Sequence, residues 1–303
     1  MKHFDGFFCK TTGVRSDFLI ERSWRKRLCA IGKFLAFVAF FFVLLMLFGW
    51  LAARLIPPLH GLVWQALAGN LQVLLATILV TFVLARLDGY SLWRFGLGGN
   101  RRWPHFLLGA GCGFVLLFAV LWMFKLSGGF SFGSCTTTGW SALTYALAYG
   151  ALFLTVALSE EILWRGYALV NLSKAVSFWP ALILISTLFG LRHLHHGQEN
   201  ILGILSVGIY SLVLGYSFLR FGSLWFAIGL HAAWDYAQSF IFGVPDSGVI
   251  VPGSIMIPVF SGRPWLTGGS AGPEGSPLMI IIFALLVLVI RKASPAPASM
   301  TSP

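Results

Sequence analysis

The sequence predicts an all-α protein, a polytopic bundle of about eight transmembrane helices. Hydrophobic residues make up 57% of the 303 residues and charged residues only 10%, whereas an ordinary soluble domain carries about 25% charged residues. A soluble fold with so little charge could not cover its own surface, so the composition excludes the soluble classes. The apolar runs are continuous rather than alternating, which indicates helices and not a membrane β-barrel.

Eight apolar segments reach or approach the length of a membrane span, which is about 20 residues at 1.5 Å rise per residue. The fifth and the eighth are short, and we expect the fifth to stop inside the bundle. The segments are Phe34–Ile56, Leu62–Arg86, His105–Lys125, Trp140–Leu163, Phe178–Gly190, Ile201–Leu219, Leu224–Phe242 and Leu278–Ile290.

The distribution of basic residues predicts the orientation of these segments. With the N-terminus in the cytoplasm and eight spans, all but four of the 21 Lys and Arg residues lie inside, as the positive-inside rule requires. Both chain ends are then cytoplasmic. The basic residues behind the net charge of +11 lie at the ends of apolar runs, which is the pattern of a membrane protein. We therefore expect the lipid bilayer as a partner and no nucleic acid. The four exceptions are Arg54, Lys125, Arg192 and Arg263.

The chain divides into three regions by composition. Residues 1–33 form a basic cytoplasmic segment, residues 34–292 the membrane bundle, and residues 293–303 a tail rich in Pro, Ser and Ala that we expect to be disordered. The connection Gly243–Pro277 is rich in Gly, Pro and Ser, which predicts an irregular segment outside the membrane. None of the four cysteines lies in Cys-x-x-Cys spacing, which argues against a zinc ribbon or a disulfide framework.

Only three acidic residues, Glu160, Glu161 and Asp235, lie within apolar segments. An ionised group at membrane depth costs at least about 2.5 kcal/mol, so such groups are retained when they are paired or functional. Glu161 and Arg165 are four residues apart, which predicts an ion pair on one helix face. Glu160 is rotated by about 100° and lacks that partner, so we expect it to be available as a general base for water. The alternative is that both glutamates anchor a helix end.

Two histidine motifs follow. His193 lies one helical turn after Phe189 and is the deepest of three histidines, while His195 and His196 are typical of caps or interfacial residues. His231 lies one turn before Asp235, and a carboxylate at that spacing can fix the tautomer of an imidazole. The alternative for this second pair is a polar contact that joins two spans.

The ordered set of a Glu-Glu-x-x-x-Arg helix, a Phe-x-x-x-His helix and a His-x-x-x-Asp helix resembles the intramembrane CAAX-protease and bacteriocin-processing family. Its members include the eukaryotic endopeptidases that remove the last three residues of prenylated proteins. The resemblance covers about residues Leu143–Phe242. It implies an endopeptidase that hydrolyses peptide bonds of membrane-associated peptides or proteins.

The resemblance also implies roles for individual residues. Glu160 would activate the water, and His193 would help to position it, while Glu161 and Arg165 would support the site. His231 and Asp235 resemble the family's oxyanion-stabilising pair. The family often has Asn where this chain has Asp235, and a carboxylate cannot donate a hydrogen bond unless it is protonated. We therefore expect Asp235 to orient His231.

The same residues leave other functions open. Glu160, His193 and His231 could hold zinc with water in an open position, but His-Glu-x-x-His is absent, so we favour a metal-independent reaction and expect no cofactor. A catalytically inactive scaffold or bacteriocin-immunity-type protein, and a transporter that uses Glu160 as a proton relay, are the rivals from other classes. We expect a multi-pass protein of the bacterial inner membrane.

The depth of the motifs imposes one further condition. Glu160 lies towards the inner end of the fourth predicted helix, whereas His193 lies towards the outer end of the fifth. The two side chains can meet only if the fifth helix is short or tilted, or if the fourth helix extends past Arg165. We therefore expect a cavity that opens into the membrane, with the site near mid-depth or slightly towards the cytoplasm.

Overall fold

A computed structural model describes residues 18–57, 59–195, 198 and 200–294. Parts of the predicted N-terminal segment and tail, residues 1–17 and 295–303, lie outside the described residues, as do His196 and the side chain of His195. The helices of the described chain are α1 (Trp24–Leu55), α2 (Leu62–Leu87), α3 (Arg102–Leu126), α4 (Gly139–Arg165), α5 (Tyr167–Val176), α6 (Phe178–Arg192), α7 (Ile201–Phe221), α8 (Trp225–Asp235, continued by a π-helical turn, Tyr236–Ile241), α9 (Pro264–Thr267) and α10 (Met279–Ala293).

Each of the eight predicted segments contains a helix, which confirms the all-α prediction. Among the described residues, five helical stretches are long and apolar enough to cross a membrane by length and composition, and α6 is a shorter apolar helix, as expected. Helix α1 begins at Trp24, earlier than the predicted span. The five stretches are Trp24–Leu55, Leu62–Leu87, Arg102–Leu126, Gly139–Val176 and Ile201–Phe221.

The start of α1 and the end of α10 lie at the same end of the bundle. The backbone N–H of Glu21, just before α1, donates to the carbonyl of Lys174 near the end of α5. Arg220, at the end of α7, donates to the hydroxyl of Ser294, just after α10. Phe18, before α1, also packs edge-on against Phe218 near the end of α7, with ring centroids 5.2 Å apart. The start of α1 and the end of α10 therefore share one end, hereafter the inner end, which is consistent with an even number of crossings. The opposite end is hereafter the outer end.

A two-stranded sheet covers part of the outer end. Strand β1 (Phe130–Cys135) pairs antiparallel with β2 (Met256–Phe260), with Phe130 opposite Phe260. The expectation that Gly243–Pro277 is irregular throughout is therefore wrong for β2. The five residues of β2 are apolar and alternate between half-buried and exposed, a strand pattern that the many Gly, Pro and Ser residues around it obscure.

Helices α3 and α8 pack at backbone distance because three glycines face each other. A Cβ added to Gly109 or Gly113 would overlap carbonyl oxygens of α8, and one added to Gly229 would overlap a carbonyl oxygen of α3. Membrane helices associate closely where small residues let the backbones approach. Because Gly229 lies two residues before His231, this contact fixes the position of the His-x-x-x-Asp motif.

Gly166 interrupts the helix that carries the two glutamates. Its φ of −73° and ψ of −115° lie outside the helical region, and a Cβ there would stand 2.5 Å from the carbonyl oxygen of Ile162. Helix α5 continues the chain towards the inner end, so Arg165 is not at the end of the crossing. Helix α6 has 15 residues and spans about 22 Å. The short α6 therefore meets the first condition for bringing Glu160 level with His193, and α5, rather than α4 itself, carries the chain past Arg165.

Candidate active site

The three predicted motifs converge on one cavity of about 250 Å³ inside the bundle. Its wall includes all four residues predicted to be catalytic, Glu160 from α4, His193 from the end of α6, and His231 and Asp235 from α8. Apolar side chains such as Phe153 provide much of the remaining wall. The motifs are separated in sequence and share the cavity only because α4, α6 and α8 are neighbours in the fold.

Glu161 lies behind this cavity at the centre of a fully buried network. Its Oε1 is 2.8 Å from Arg165 Nη1, and both side chains are completely shielded from solvent, which confirms the predicted ion pair. Arg165 also donates to the hydroxyl of Ser211 on α7 at 2.8 Å, and its guanidinium lies 5.3 Å from the centre of the Phe189 ring. The pair thereby joins α4, α6 and α7 beneath the cavity.

The same oxygen of Glu161 orients His231. Nδ1 of His231 is 2.9 Å from Glu161 Oε1, whereas Nε2 is 3.4 Å from Asp235 Oδ2 and 3.9 Å from Glu160 Oε2. The hydrogen-bond contact at Nδ1 thus comes from Glu161, which the sequence did not predict, and the role of Asp235 in orienting His231 stays a prediction. A carboxylate that accepts from Nδ1 fixes the ring and directs Nε2, here towards the two cavity carboxylates.

Glu160 is paired with Arg192, the last residue of α6, through Oε1 and Nη1. Glu160 therefore lacks Arg165 as a partner, as predicted, but it is paired with a residue of another helix, which intrahelical spacing could not reveal. The Arg192 side chain is 48% exposed, whereas that of Glu160 is 10% exposed. The second carboxylate oxygen, Oε2, is the one that faces His231.

His193 is held by its own helix. Its Nδ1 lies 2.9 Å from the carbonyl oxygen of Phe189, one turn earlier. The i, i+4 spacing of Phe189 and His193 thus places the His193 side chain against the Phe189 backbone. This contact fixes the imidazole in the cavity wall on the side of α6.

Residues 142–237 match a family model described as type II CAAX prenyl endopeptidase Rce1-like. The match supports the resemblance of this segment to the CAAX-protease family. The segment contains Glu160, His193, His231 and Asp235, and nearly coincides with the region Leu143–Phe242 that carries the motifs. Comparisons with curated proteins and with solved structures gave no match.

At family level the Rce1-like match indicates a membrane endopeptidase. The long apolar helices show independently that the chain is an integral membrane protein. Helices α1 to α3, α9 and α10 lie outside the matched segment. Of these, α2 and α10 contribute Ala66, Asn70, Met279 and Phe283 to the wall of the cavity.

The described side chains of the candidate site do not form a ligand set for zinc. Among the described residues, no group of three or more His, Cys, Asp or Glu side chains is arranged to hold a metal ion. Nδ1 of His231 is engaged by Glu161 and Oε1 of Glu160 by Arg192. A guanidinium against the carboxylate also repels a cation. The metal-independent reaction stays a prediction.

Two further carboxylates, which the sequence placed in loops, border the cavity towards the outer end. Asp246 accepts a hydrogen bond of 3.1 Å from the hydroxyl of Ser239, and Glu274 accepts one of 3.1 Å from Nε2 of Gln238. Burial raises the pKa of Asp246 to about 6, although the bond from Ser239 and the nearby His231 favour its ionised form. The cavity therefore extends from mid-bundle towards the outer end, and not towards the inner end, which we predicted to be cytoplasmic.

The sequence did not predict that Asp246 and Tyr210 line the cavity, or that Arg192 pairs with Glu160. Arg192 carried a signal, because it is one of the four basic residues that the topology places outside. Tyr210 on α7 carried none, since a tyrosine in an apolar helix has no distinctive spacing. Its ring stands edge-on to His231, with centroids 5.8 Å apart and planes at 88°.

Proposed function

We propose that this protein is an intramembrane endopeptidase in which Glu160 activates water for attack on a peptide bond, without a metal ion. The observation that supports the proposal best is the approach of Glu160 Oε2 to His231 Nε2, 3.9 Å apart in one cavity. A carboxylate and an imidazole at this separation can both contact one water molecule. A group that accepts a proton in the transition state contributes about 10²- to 10⁴-fold to the rate.

The roles of the two Glu160 oxygens follow from their contacts. Oε1 is held by Arg192, so Oε2 takes the proton when the water oxygen bonds to the carbonyl carbon. The electron pair of the C=O bond moves onto the oxygen, and the C–N bond breaks as Glu160 passes the proton to the amine. His193 positions the water. His231, when protonated, donates from Nε2 to the oxyanion while Glu161 accepts from Nδ1. Asp235 lies beside Nε2.

The proposed substrates are membrane-associated peptides or proteins. The wall of the cavity is apolar over much of its extent, with Leu152, Phe153 and Val156 on the same helix as Glu160. Such a wall suits an apolar peptide segment, while the polar groups converge at one region where a peptide bond can be held. The proposed location is the bacterial inner membrane, with both chain ends in the cytoplasm.

The proposal is tested by cleavage of a membrane peptide library by the purified protein in detergent. We expect Glu160→Gln and His231→Ala to lower kcat/KM by at least about 100-fold, and a chelator to leave the wild type unchanged. Glu21→Gln, a change at a half-buried residue outside the site, is the matched control and should retain full activity.

Cleavage by Glu160→Gln at the wild-type rate would show that Glu160 is not the base. Activity that a chelator removes and zinc restores would reverse the metal-independent assignment. A wild-type protein that cleaves nothing in the library, under conditions in which it remains folded, would favour the inactive scaffold.

A further inference from the structure

The hydroxyl of Tyr210 is a buried polar group without a hydrogen-bond partner among the described residues. Tyrosine hydroxyls inside proteins normally find a partner, and an unpaired buried hydroxyl lowers stability because its lost hydration is not replaced. An orphaned group of this kind in a native structure calls for an explanation, and catalysis is one of the recognised ones. Tyr210 contributes to the wall of the cavity that holds Glu160 and His231.

Packing on two sides fixes the position of the Tyr210 ring. It stands edge-on to His231, with centroids 5.8 Å apart, and lies 6.3 Å from the ring of Trp234. Both partners are on α8, so Tyr210 links α7 to the helix that carries the His-x-x-x-Asp motif. The carboxylates of Asp235 and Glu161 act electrostatically on its hydroxyl, yet neither accepts a hydrogen bond from it.

We propose that Tyr210 is a catalytic residue that donates a hydrogen bond to the oxyanion formed during peptide hydrolysis. The inference rests on the proposed function. When water adds to the carbonyl carbon, the C=O electron pair becomes a negative charge on oxygen, and that oxygen needs donors. Asp235 as a carboxylate only accepts, so His231 Nε2 supplies one donor at most. The O–H of Tyr210 supplies the second and keeps its proton throughout, since the oxyanion loses its charge when the C–N bond breaks.

The environment of the hydroxyl suits this role. It has no hydrogen bond to break and no exposure to solvent in the substrate-free protein, so its desolvation is already complete before the oxyanion forms. Donors that are fixed and dry before the reaction are the most effective at stabilising developing charge.

The test compares Tyr210→Phe with the wild type in steady-state cleavage. The variant removes only the oxygen and keeps the ring contacts with His231 and Trp234, so its thermal unfolding midpoint in detergent should stay near the wild-type value. We expect kcat to fall about 100- to 1000-fold, as on loss of one oxyanion donor in other hydrolases, with KM changed less than about twofold. Binding of a peptide aldehyde, whose hydrate mimics the tetrahedral intermediate, should weaken far more than binding of a substrate peptide.

Tyr216→Phe is the matched control. Tyr216 lies on the same helix but stacks on Trp179, away from the cavity, and its variant should keep the wild-type kcat. An unchanged kcat in Tyr210→Phe, or a raised KM with unchanged kcat, would overturn the assignment. Glu160→Gln in the same assay separates the two proposals. If Glu160→Gln is inactive while Tyr210→Phe is fully active, only the role of Tyr210 fails. If Glu160→Gln is active, the proposed function itself fails.

Discussion

One carboxylate oxygen, Oε1 of Glu161, holds two partners from different helices. It lies 2.8 Å from Arg165 Nη1 and 2.9 Å from His231 Nδ1. A buried charge is tolerated when ion pairs and hydrogen bonds offset its lost hydration, and removal of one partner then costs about 3 to 5 kcal/mol. Glu161 is therefore both a structural residue and the residue that orients His231, two roles that helical spacing alone would assign to different side chains.

Asp246 lies in the connection after α8, outside the membrane-spanning helices, and gives a prediction about pH. Burial raises its pKa to about 6, against about 3.9 in an unfolded chain. Between these values the folded state binds more protons, so this group's contribution to stability is complete below about pH 4 and is lost as the pH rises through 6. We expect the unfolding midpoint in detergent to fall less between pH 4 and 7 in Asp246→Asn than in the wild type. Glu21→Gln is the control, and parallel pH profiles for Asp246→Asn and the wild type would contradict the prediction.

The motif residues of the site could be predicted from the sequence because ionisable side chains are rare at membrane depth. Glu160 and Asp235 stood out for their cost in an apolar segment, and His231 for its spacing from Asp235. The roles of Arg192 and Tyr210 in the site were not predicted, because their partners lie on other helices. Spacing along one helix gives no information about contacts between helices. Which oxygen of which glutamate meets His231 is likewise a property of the packing of α4 against α8.

At the level of elements, apolar runs predicted the helices well and their ends poorly. The break at Gly166 was not predicted, because the residues on both sides of it have the composition of a helix. Only glycine fits at this position, since a Cβ would overlap the carbonyl oxygen of Ile162. Strand β2 escaped because its partner β1 lies more than a hundred residues earlier in the chain, and pairing at such a separation leaves no local pattern. Helix ends and sheet pairing depend on contacts that form only in the folded bundle.

The contact between α3 and α8 gives a prediction about activity. Gly113 is buried, and a Cβ on it would overlap the carbonyl oxygen of Leu230, the residue before His231. We expect Gly113→Ala to push α8 away, to destabilise the protein by about 1 to 3 kcal/mol and to lower kcat at least about tenfold, because small displacements of a catalytic group cost rate. Unfolding and cleavage assays measure both effects.

Gly111 on the same helix provides the control for this change. A Cβ there meets nothing within 4 Å, and alanine favours a helix over glycine by about 1 kcal/mol. Gly111→Ala should therefore be as stable as the wild type or slightly more stable, with full activity. Equal behaviour of the two alanine variants would show that the approach of α3 to α8 does not position His231.

For the whole molecule, the depth of the site results from an unequal division of length among the helices. The crossing Gly139–Val176 comprises 38 residues, whereas α6 has 15. The long crossing carries Glu160 well short of the inner end, and the short helix brings Arg192 and His193 to the same level. The sequence analysis required a short fifth helix or a longer fourth one, but it could not show that α5 continues towards the inner end. A break in the helix at one glycine leaves the hydropathy unchanged.

The predicted orientation of the whole bundle is testable with its own cysteines. Cys29 lies near the start of α1, before the predicted span, and Cys135 lies in β1 at the outer end; both are exposed. With cytoplasmic chain ends, a membrane-impermeant maleimide added to intact bacterial cells should label a variant that retains only Cys135 and should not label one that retains only Cys29. Inside-out vesicles should give the reverse, because they present the inner end to the reagent. A variant that retains only Cys112, within α3 and half-buried, is the control and should stay unlabelled in both preparations. Labelling of Cys29 on intact cells, with Cys135 protected, would mean that the bundle is inserted in the opposite direction. The cavity would then extend towards the cytoplasm.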